Sequence, residues 1–271
     1  MEKNYNPIFY ITLLSTKKHQ LGQKNPKTGL FFGNGFDGLW THTGWTNGRA
    51  NSIAIDEKSG GKILYAACGN GVMKSSDWGR TWKIVTDHLV TEVLKVTIDP
   101  ISSNTIYASS AYGVFKSTDA GKTWKEKNKG RKTPYAAHMI IEKKRILLAT
   151  EEGIYVSYNK GESWSMFALE GLGVRILVKS KADENVYAAG TEDDGVFISE
   201  DAGKTFVQRN EGLKSKTIYS IECDPNNACV MYCGGFESGI YKSNDMGKTW
   251  HQHEDSLTGM NIHAIKVFPK D

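Results

Sequence analysis

The sequence has few cysteines, few prolines and no long apolar run. Its 271 residues include 4 cysteines and 6 prolines, and no stretch approaches the roughly 18 apolar residues of a membrane-spanning helix. The net charge of +4 is small for this length, and lysine and arginine are spread along the chain. Binding of nucleic acid requires a concentrated basic face. We therefore expect no membrane span and no nucleic-acid partner.

The four cysteines follow no metal-binding spacing, so we expect no metal site and no cofactor. Cys223 and Cys233 could face each other on neighbouring strands and form a disulfide in an oxidising compartment. The alternative, which we favour, is that the cysteines are buried free thiols that act as small hydrophobic residues. The first apolar run, 7–14, lacks the cleavage site of a signal peptide. The compartment stays open, with a secreted or periplasmic protein expected if the N-terminus is processed.

Glycine is abundant, with 28 residues, and one eight-residue phrase recurs between glycine-rich turns. The five copies read SSDWGRTW, STDAGKTW, SYNKGESW, SEDAGKTF and SNDMGKTW, and they begin at Ser75, Ser117, Ser157, Ser199 and Ser243. Their starts are 42, 40, 42 and 44 residues apart. Self-similarity at a period of about 40 residues indicates a repeat architecture.

Each repeat predicts four short antiparallel strands. In the copy over 51–86, Asn51–Asp56 is the first strand, the apolar run Ile63–Cys68 the second, Val72–Ser75 the third and Trp82–Thr86 the fourth. Glycine-rich turns connect the strands, and the recurring phrase forms the last hairpin. Four-stranded sheets repeated radially make a β-propeller. The sequence therefore predicts an all-β fold without amphipathic helices.

The two ends of the chain predict closure of the ring. The stretch 29–40 aligns on 71–82 as a degenerate sixth phrase, and Ile8–Tyr10 upstream resembles the second-strand phrase Ile63–Tyr65. The N-terminus thus supplies the second to fourth strands of a blade, whereas Asn261–Phe268 resembles a lone first strand. We predict one domain over 1–271, a six-bladed propeller of four-stranded antiparallel blades, closed by the C-terminal strand joining the N-terminal blade. The predicted repeats are 49–90, 91–132, 133–172, 173–214 and 215–258, with a shared blade of 1–48 plus 259–271.

The phrase resembles the Asp-box, or BNR, repeat, Ser/Thr-x-Asp-x-Gly-x-Thr-Trp. This repeat occurs in sialidases, sortilin-type receptors, xyloglucan-degrading propellers and a photosystem II assembly factor family, and no single member is matched. The resemblance covers essentially the whole chain. It implies the propeller fold, but it does not specify an activity, since enzymes, receptors and assembly factors share it.

We expect the boxes to be structural. The aspartate can accept backbone N–H bonds in a tight turn, the glycine suits a positive φ, and the aromatic residue packs over the hairpin and between blades. The box residues are Ser75, Asp77, Gly79, Trp82, Ser117, Asp119, Gly121, Trp124, Ser157, Asn159, Gly161, Trp164, Ser199, Asp201, Gly203, Phe206, Ser243, Asp245, Gly247 and Trp250.

If the boxes are structural, the opposite face of the propeller is the candidate binding face. We call it the loop face. It comprises the turns between second and third strands and the loops that lead from each fourth strand to the next repeat. The predicted binding residues there are Trp45, Arg49, Tyr112, Glu152, Arg175, Asp193, Phe236 and Glu237. Arg49, Arg131 and Arg175 are predicted in interblade loops, at intervals that would suit a basic patch for an assembly factor.

Two functions remain open at this stage. The first is a non-catalytic binding or scaffold propeller, expected to be a monomer, that recognises a glycan or protein partner through the loop face. The second is a glycoside hydrolase, for which Glu152 with Asp193 or Asp194 would supply paired carboxylates about 5–10 Å apart. No nucleophile motif and no sialidase-type N-terminal motif is present, which favours the first function.

Overall fold

A computed structural model of the protein describes residues 9–13, 29–33, 41–42, 50–253 and 257–267, the first three ranges as strands only. The chain divides into two compact units, Met1–Glu126 and Lys127–Asp271. Within the described residues the regular structure is β-strand, apart from one turn of 3-10 helix at Glu57–Ser59.

The first unit contains one three-stranded and two four-stranded antiparallel sheets. The three-stranded sheet has β1 (Phe9–Leu13), β2 (Gly29–Gly33) and β3 (Thr41–His42). The next sheet has β4 (Ala50–Ile55), β5 (Leu64–Cys68), β6 (Gly71–Ser75) and β7 (Lys83–Ile84). The last has β8 (Val93–Ile98), β9 (Ile106–Ser110), β10 (Gly113–Ser117) and β11 (Lys125–Glu126).

The second unit contains three four-stranded antiparallel sheets with the same strand order. The first has β12 (His138–Ile141), β13 (Ile146–Thr150), β14 (Gly153–Ser157) and β15 (Ser165–Ala168). The second has β16 (Val174–Lys179), β17 (Tyr187–Thr191), β18 (Val196–Ser199) and β19 (Val207–Gln208). The third has β20 (Ile218–Cys223), β21 (Met231–Gly235), β22 (Ile240–Ser243) and β23 (His251–Gln252).

The second strand of each repeat is the most apolar because both of its faces are covered. Every residue of β5, β9, β13 and β17 is buried. Apolar side chains from successive sheets form shared cores, with Tyr65 and Val96 in the first unit and Ile198 and Ile221 in the second. The prediction of an all-β chain of four-stranded antiparallel sheets is confirmed for the described residues.

The chain ends agree with the prediction only in part. The N-terminal strands β1, β2 and β3 lie in the predicted order, but the degenerate phrase beyond Gly33 lies outside the described residues. The described segment Asn261–Val267 contains no strand. It does run beside β20, where the Ser220 hydroxyl donates to the Ile262 carbonyl at 3.0 Å. The blade count of six, the closing strand and the single domain therefore stay predictions.

All four cysteines are free, and Cys229 is exposed whereas the other three are buried. In the sheet register Cys223 lies opposite Met231, and Cys233 lies opposite Ile221. The two thiols are thus offset along the strands, and the proposed disulfide is not formed. Burial raises the pKa of the Cys68 and Cys223 thiols to about 12.

Candidate functional site

The Asp boxes form the hairpins between third and fourth strands, and their polar groups bond to one another. In the second box, Asp119 Oδ1 accepts from the Ser117 hydroxyl at 2.7 Å and from the Thr123 backbone N–H at 2.9 Å. Asp119 Oδ2 accepts from the Thr123 hydroxyl at 2.6 Å, and the buried Ser117 hydroxyl oxygen accepts from the Gly121 N–H at 2.9 Å. The other boxes repeat this pattern.

These hydrogen bonds stabilise the charged form of the carboxylates. Bonds from the Thr81 hydroxyl and N–H lower the pKa of Asp77 to about 2, and bonds from Thr205 and Thr249 do the same for Asp201 and Asp245. In the third box the neutral Asn159 replaces aspartate, and its Oδ1 accepts from the Ser163 N–H at 2.9 Å. The box carboxylates thus act within their own hairpins.

The box tryptophans connect neighbouring repeats. The Trp124 indole N–H donates to the Val85 carbonyl at 2.8 Å, and the Trp250 indole N–H donates to the Arg209 carbonyl at 3.0 Å. Trp164 likewise donates to the Lys127 carbonyl at 2.8 Å. Because Val85 and Arg209 precede these boxes by roughly one repeat, the Trp124 and Trp250 bonds join successive repeats within each unit.

The opposite ends of the same sheets carry a recurrent irregularity. Four first strands each contain a register shift against their second strand close to where they begin. The extra residue, which we call the bulge position, is Asn51, Leu94, Arg175 and Tyr219 in successive examples. A bulge re-aims one side chain without changing the pairing beyond it. Since the first strand begins where the second ends, every bulge position lies at the loop face.

Arg175 is the centre of the polar contacts on the loop face of the second unit. Its Nη2 forms an ion pair with Glu192, which follows β17 in the same repeat. Its guanidinium carbon lies 5.4 Å from the centre of the Tyr219 ring, a cation–π distance. Its Nε is buried and has no hydrogen-bond partner among the described residues.

Tyr219 also stacks on His263. The two ring centres are 4.9 Å apart and the planes differ by 7°. Arg175, on β16, and His263, on the C-terminal segment, thus both contact the tyrosine ring. The sequence around His263, IHAIK, matches the sequence around Tyr219, IYSIE, so the two residues occupy equivalent positions. Three consecutive repeat positions therefore form one row, the Arg175–Tyr219–His263 stack.

Tyr135 lies in the electrostatic field of the same cluster. Burial is the main cause that raises the pKa of its hydroxyl. The Arg175 charge lowers that pKa, and the carboxylates of Glu192 and Glu151 raise it. Glu151 and Glu192 occupy the same position in the turns of adjacent repeats, directly after β13 and β17. The loop face of the second unit thus brings together a tyrosine, a cation and two carboxylates.

The predicted binding residues are not equally placed. Tyr112 and Phe236 are exposed aromatics on turns between second and third strands, with 58% and 45% of their surface accessible. Asp193 and Glu237 are exposed on such turns, and Glu152 accepts a hydrogen bond from the Tyr155 hydroxyl at 3.3 Å. Trp45 and Arg49 lie outside the described residues.

One of the two arginines differs from the prediction. Arg175 was expected in an interblade loop, but it is the second residue of β16 and stands at a bulge. Arg131 does lie in a loop, where its guanidinium donates to the backbone carbonyls of Thr133 and Pro134. Tyr135, Tyr219 and His263 were missed. Aligning the first strands of successive repeats could have found the last two, because they share one repeat position.

The described residues contain no group of three histidine, cysteine or acidic side chains that could hold a metal ion. Nor does any helix within them have the length and apolarity needed to cross a membrane.

The repeats and their connectivity define a protein of the β-propeller class, and the solved structures that resemble this chain are β-propellers. No protein family and no curated protein matches the sequence. The class is therefore established by the fold, and the Asp-box repeat within it by the recurring hairpin.

Three solved structures illustrate the likeness. The extracellular domain of the putative one component system BT4673 from B. thetaiotaomicron matches with a TM-score of 0.71 and 17% identity, over 88% of this chain and 33% of that one. The GH74 enzyme of Niastella koreensis matches with a TM-score of 0.68 and 16% identity, over 83% and 42%. YCF48 bound to D1 peptide matches with a TM-score of 0.61 and 12% identity, over 94% and 88%.

This chain spans less than half the length of the first two proteins and most of the third. Identities this low show a shared fold and do not carry an activity from one chain to another.

Proposed function

We propose that this chain is a non-catalytic binding propeller whose loop face holds a segment of a partner protein. The observation that carries the proposal is the Arg175–Tyr219–His263 stack. The Tyr219 ring already contacts the Arg175 guanidinium and stacks on the His263 ring, which disfavours stacking of this ring on the apolar face of a sugar. The stack instead presents the edges of its rings and of the guanidinium, which supply hydrogen-bond donors and a positive charge. Such groups suit the backbone and side chains of an extended peptide.

The length comparison supports the same proposal. The solved YCF48 structure has a bound peptide, and it is the one of the three compared structures whose chain this protein nearly fills. A single propeller can therefore present a peptide-binding surface. In this chain we assign that surface to Arg175, Glu192, Tyr219, His263, Phe236 and Glu237, with Glu152 and Asp193 on the other turns of the same unit. The partner of the six-bladed, monomeric domain would then lie across the loop face.

The test begins with a random-peptide phage library selected on the purified protein. The selected peptides are then titrated against Arg175→Met and against Arg80→Met. Arg80 makes the matched control, because its guanidinium carbon lies 5.8 Å from the Trp78 ring centre at the opposite, box end of a sheet. We expect Arg175→Met to weaken binding by about tenfold or more, as for a central interface residue, and Arg80→Met to leave it unchanged.

Equal binding by the two variants would place the site elsewhere and contradict the proposal. Selection of no peptide, together with specific binding on a glycan array, would make the ligand a glycan instead.

A glycoside hydrolase is the second candidate. It rests on the carboxylates of adjacent repeats, Glu152 and Asp193, and on the likeness to a GH74 enzyme. Incubation with xyloglucan and measurement of reducing ends tests it directly. Turnover that disappears in Glu152→Gln or Asp193→Asn, while the fold is retained, would replace the binding proposal with an enzymatic one.

A further inference from the structure

Two large apolar side chains are held in solvent at the loop face of the last repeat. Phe236 and Met260 expose 45% and 53% of their surface. A rigid frame holds them: the Phe236 N–H donates to the Thr217 carbonyl at 3.0 Å, and the Met260 carbonyl accepts from the Gly239 N–H at 3.0 Å. Exposed apolar residues on a fixed backbone are typical of an interaction site.

A further bond connects the two segments of this apolar pair. The Glu237 N–H donates to Asn261 Oδ1 at 2.7 Å. Gly239 is closely packed, with φ of +68° and space for a Cβ limited by the Leu257 carbonyl oxygen at 2.9 Å. The turn that carries Phe236 and the segment that carries Met260 are therefore one surface, which we call the Phe236–Met260 patch.

The turns between second and third strands around the patch carry charges of one sign. The three turns between second and third strands in the second unit carry six carboxylates and no lysine or arginine: Glu151, Glu152, Glu192, Asp193, Asp194 and Glu237. Two equivalent turns of the first unit, 69–70 and 111–112, carry no charge, and the third connection, 14–28, contains four lysines. Arg175 is engaged by Glu192, and the exposed Lys216 is the cation beside the patch, directly before Thr217.

We infer that the Phe236–Met260 patch binds a bulky apolar side chain of the partner segment, and that lysine or arginine residues flank this side chain. This inference rests on the proposed function and specifies the chemistry of the partner. Apolar contact with Phe236 supplies affinity, and the carboxylates on the turns select the positive flanks by charge complementarity. An acidic segment is repelled by the same turns.

The probes are three short fluorescein-labelled peptides of equal length. The first has a central leucine flanked by lysines, the second has the same leucine flanked by glutamates, and the third has the lysines with glycine at the centre. Fluorescence anisotropy measures affinity at low and at physiological salt. We expect the first peptide to bind at least about tenfold more tightly than either of the others, with affinity falling as salt rises.

Variants assign the binding to the patch. Phe236→Ala should weaken binding of the first peptide by about tenfold or more, and Glu237→Gln should weaken it less and reduce the salt dependence. Tyr112→Ala is the matched control, because Tyr112 is an exposed aromatic residue on a corresponding turn that carries no charge. This substitution should leave the affinity for the first peptide unchanged. Phe236 is exposed, so an unchanged thermal unfolding midpoint verifies that its variant is folded.

The outcomes separate the inference from the proposed function. If phage-selected peptides bind through Arg175 but the three probes bind equally, or if Tyr112→Ala abolishes binding, this inference is overturned and the proposed function stands. If neither selected nor designed peptides bind, the proposed function itself is overturned.

Discussion

The guanidinium of Arg209 donates a hydrogen bond of 2.7 Å to the carbonyl oxygen of Met246 in the box of the next repeat. Two other boxes are bound in the same way. Lys74 donates to the Ala120 carbonyl at 3.0 Å, and Arg145 donates to the Ala202 carbonyl at 2.8 Å. The three acceptor residues have positive φ, between 61° and 62°. In each case a cationic side chain of one repeat thus binds the carbonyl of the positive-φ residue in the following box.

Arg145 provides the first prediction, because it also belongs to a largely buried network. It donates to the Glu142 carboxylate at 2.5 Å and to the Tyr187 hydroxyl at 3.2 Å. Arg145→Met should lower the free energy of unfolding by about 2–3 kcal/mol, since a carboxylate with little access to water loses one of its two cationic partners and keeps Lys179. Urea unfolding measures the change.

Lys132→Met is the control for Arg145→Met. Both side chains of its ion pair with Glu170 are exposed, so the free energy of unfolding should fall by only about 0.2–1 kcal/mol. Equal losses from the two substitutions would show that the Arg145 network contributes no more than a surface pair.

The second prediction concerns the serine that begins each box. Ser117→Ala removes the acceptor of the buried Gly121 N–H and should lower the free energy of unfolding by about 1–3 kcal/mol. Ser165→Ala, at an exposed position of β15, should stay within about 0.5 kcal/mol of the parent protein. Any ligand bound at the loop face should keep its affinity for the folded Ser117→Ala protein. Loss of binding at unchanged stability would contradict the structural role of the boxes.

The third prediction is a loss of stability in acid. The folded protein holds the pKa of Asp77, Asp201 and Asp245 near 2, below the ordinary value of 3.8. The unfolded chain therefore binds more protons in this range. The stabilisation is complete above the unfolded pKa and disappears as pH falls through the folded one. Urea midpoints should accordingly fall between about pH 5 and pH 2.

Reciprocal substitutions test the source of this acid sensitivity. Asp201→Asn should reduce the number of protons taken up on unfolding by up to about one, so that the free energy of unfolding depends less steeply on pH. Asn159→Asp should raise that number by a similar amount and make the dependence steeper. An identical profile in both variants would assign the acid sensitivity to other carboxylates.

The fourth prediction compares two glycines with the same backbone conformation. Gly171 and Gly212 have φ of +86° and +88°. A Cβ on Gly171 meets no atom within 4 Å, whereas a Cβ on Gly212 would lie 2.0 Å from the Trp250 carbonyl oxygen. Gly171→Ala should cost about 1–2 kcal/mol from the left-handed conformation alone. Gly212→Ala should cost about 1–3 kcal/mol more, from the clash. Chemical denaturation of both variants measures the difference, and similar losses would exclude the clash.

Much of the fold could be predicted because each repeat carries the same strand pattern, which gives independent evidence for it. The second strand of the first complete repeat was predicted at Ile63–Cys68 and is observed at Leu64–Cys68, since a fully apolar run bounded by glycines has one consistent interpretation. The box hairpins recur at nearly constant spacing for the same reason. The predicted closing strand is different, because the described segment Asn261–Val267 contains no strand, and it stays a prediction.

The candidate site was less predictable because its contacts join equivalent positions of different repeats. Arg175 and Tyr219 are 44 residues apart in sequence, and a bulge that no local pattern marks aims both side chains at the loop face. Phe236 and Glu237 were identified from their polar turn alone. The pairing of Arg175 with Glu192, rather than with Asp193, depends on side-chain geometry that spacing does not encode.

The bulge positions have a consequence for redesign of this protein. Asparagine, leucine, arginine and tyrosine occupy the same backbone geometry in four sheets, and the strand pairing beyond each of them is unchanged. The register shift is therefore compatible with polar, apolar, charged and aromatic side chains. A library randomised at the bulges alone would vary the chemistry of the surface one repeat at a time, on a constant scaffold.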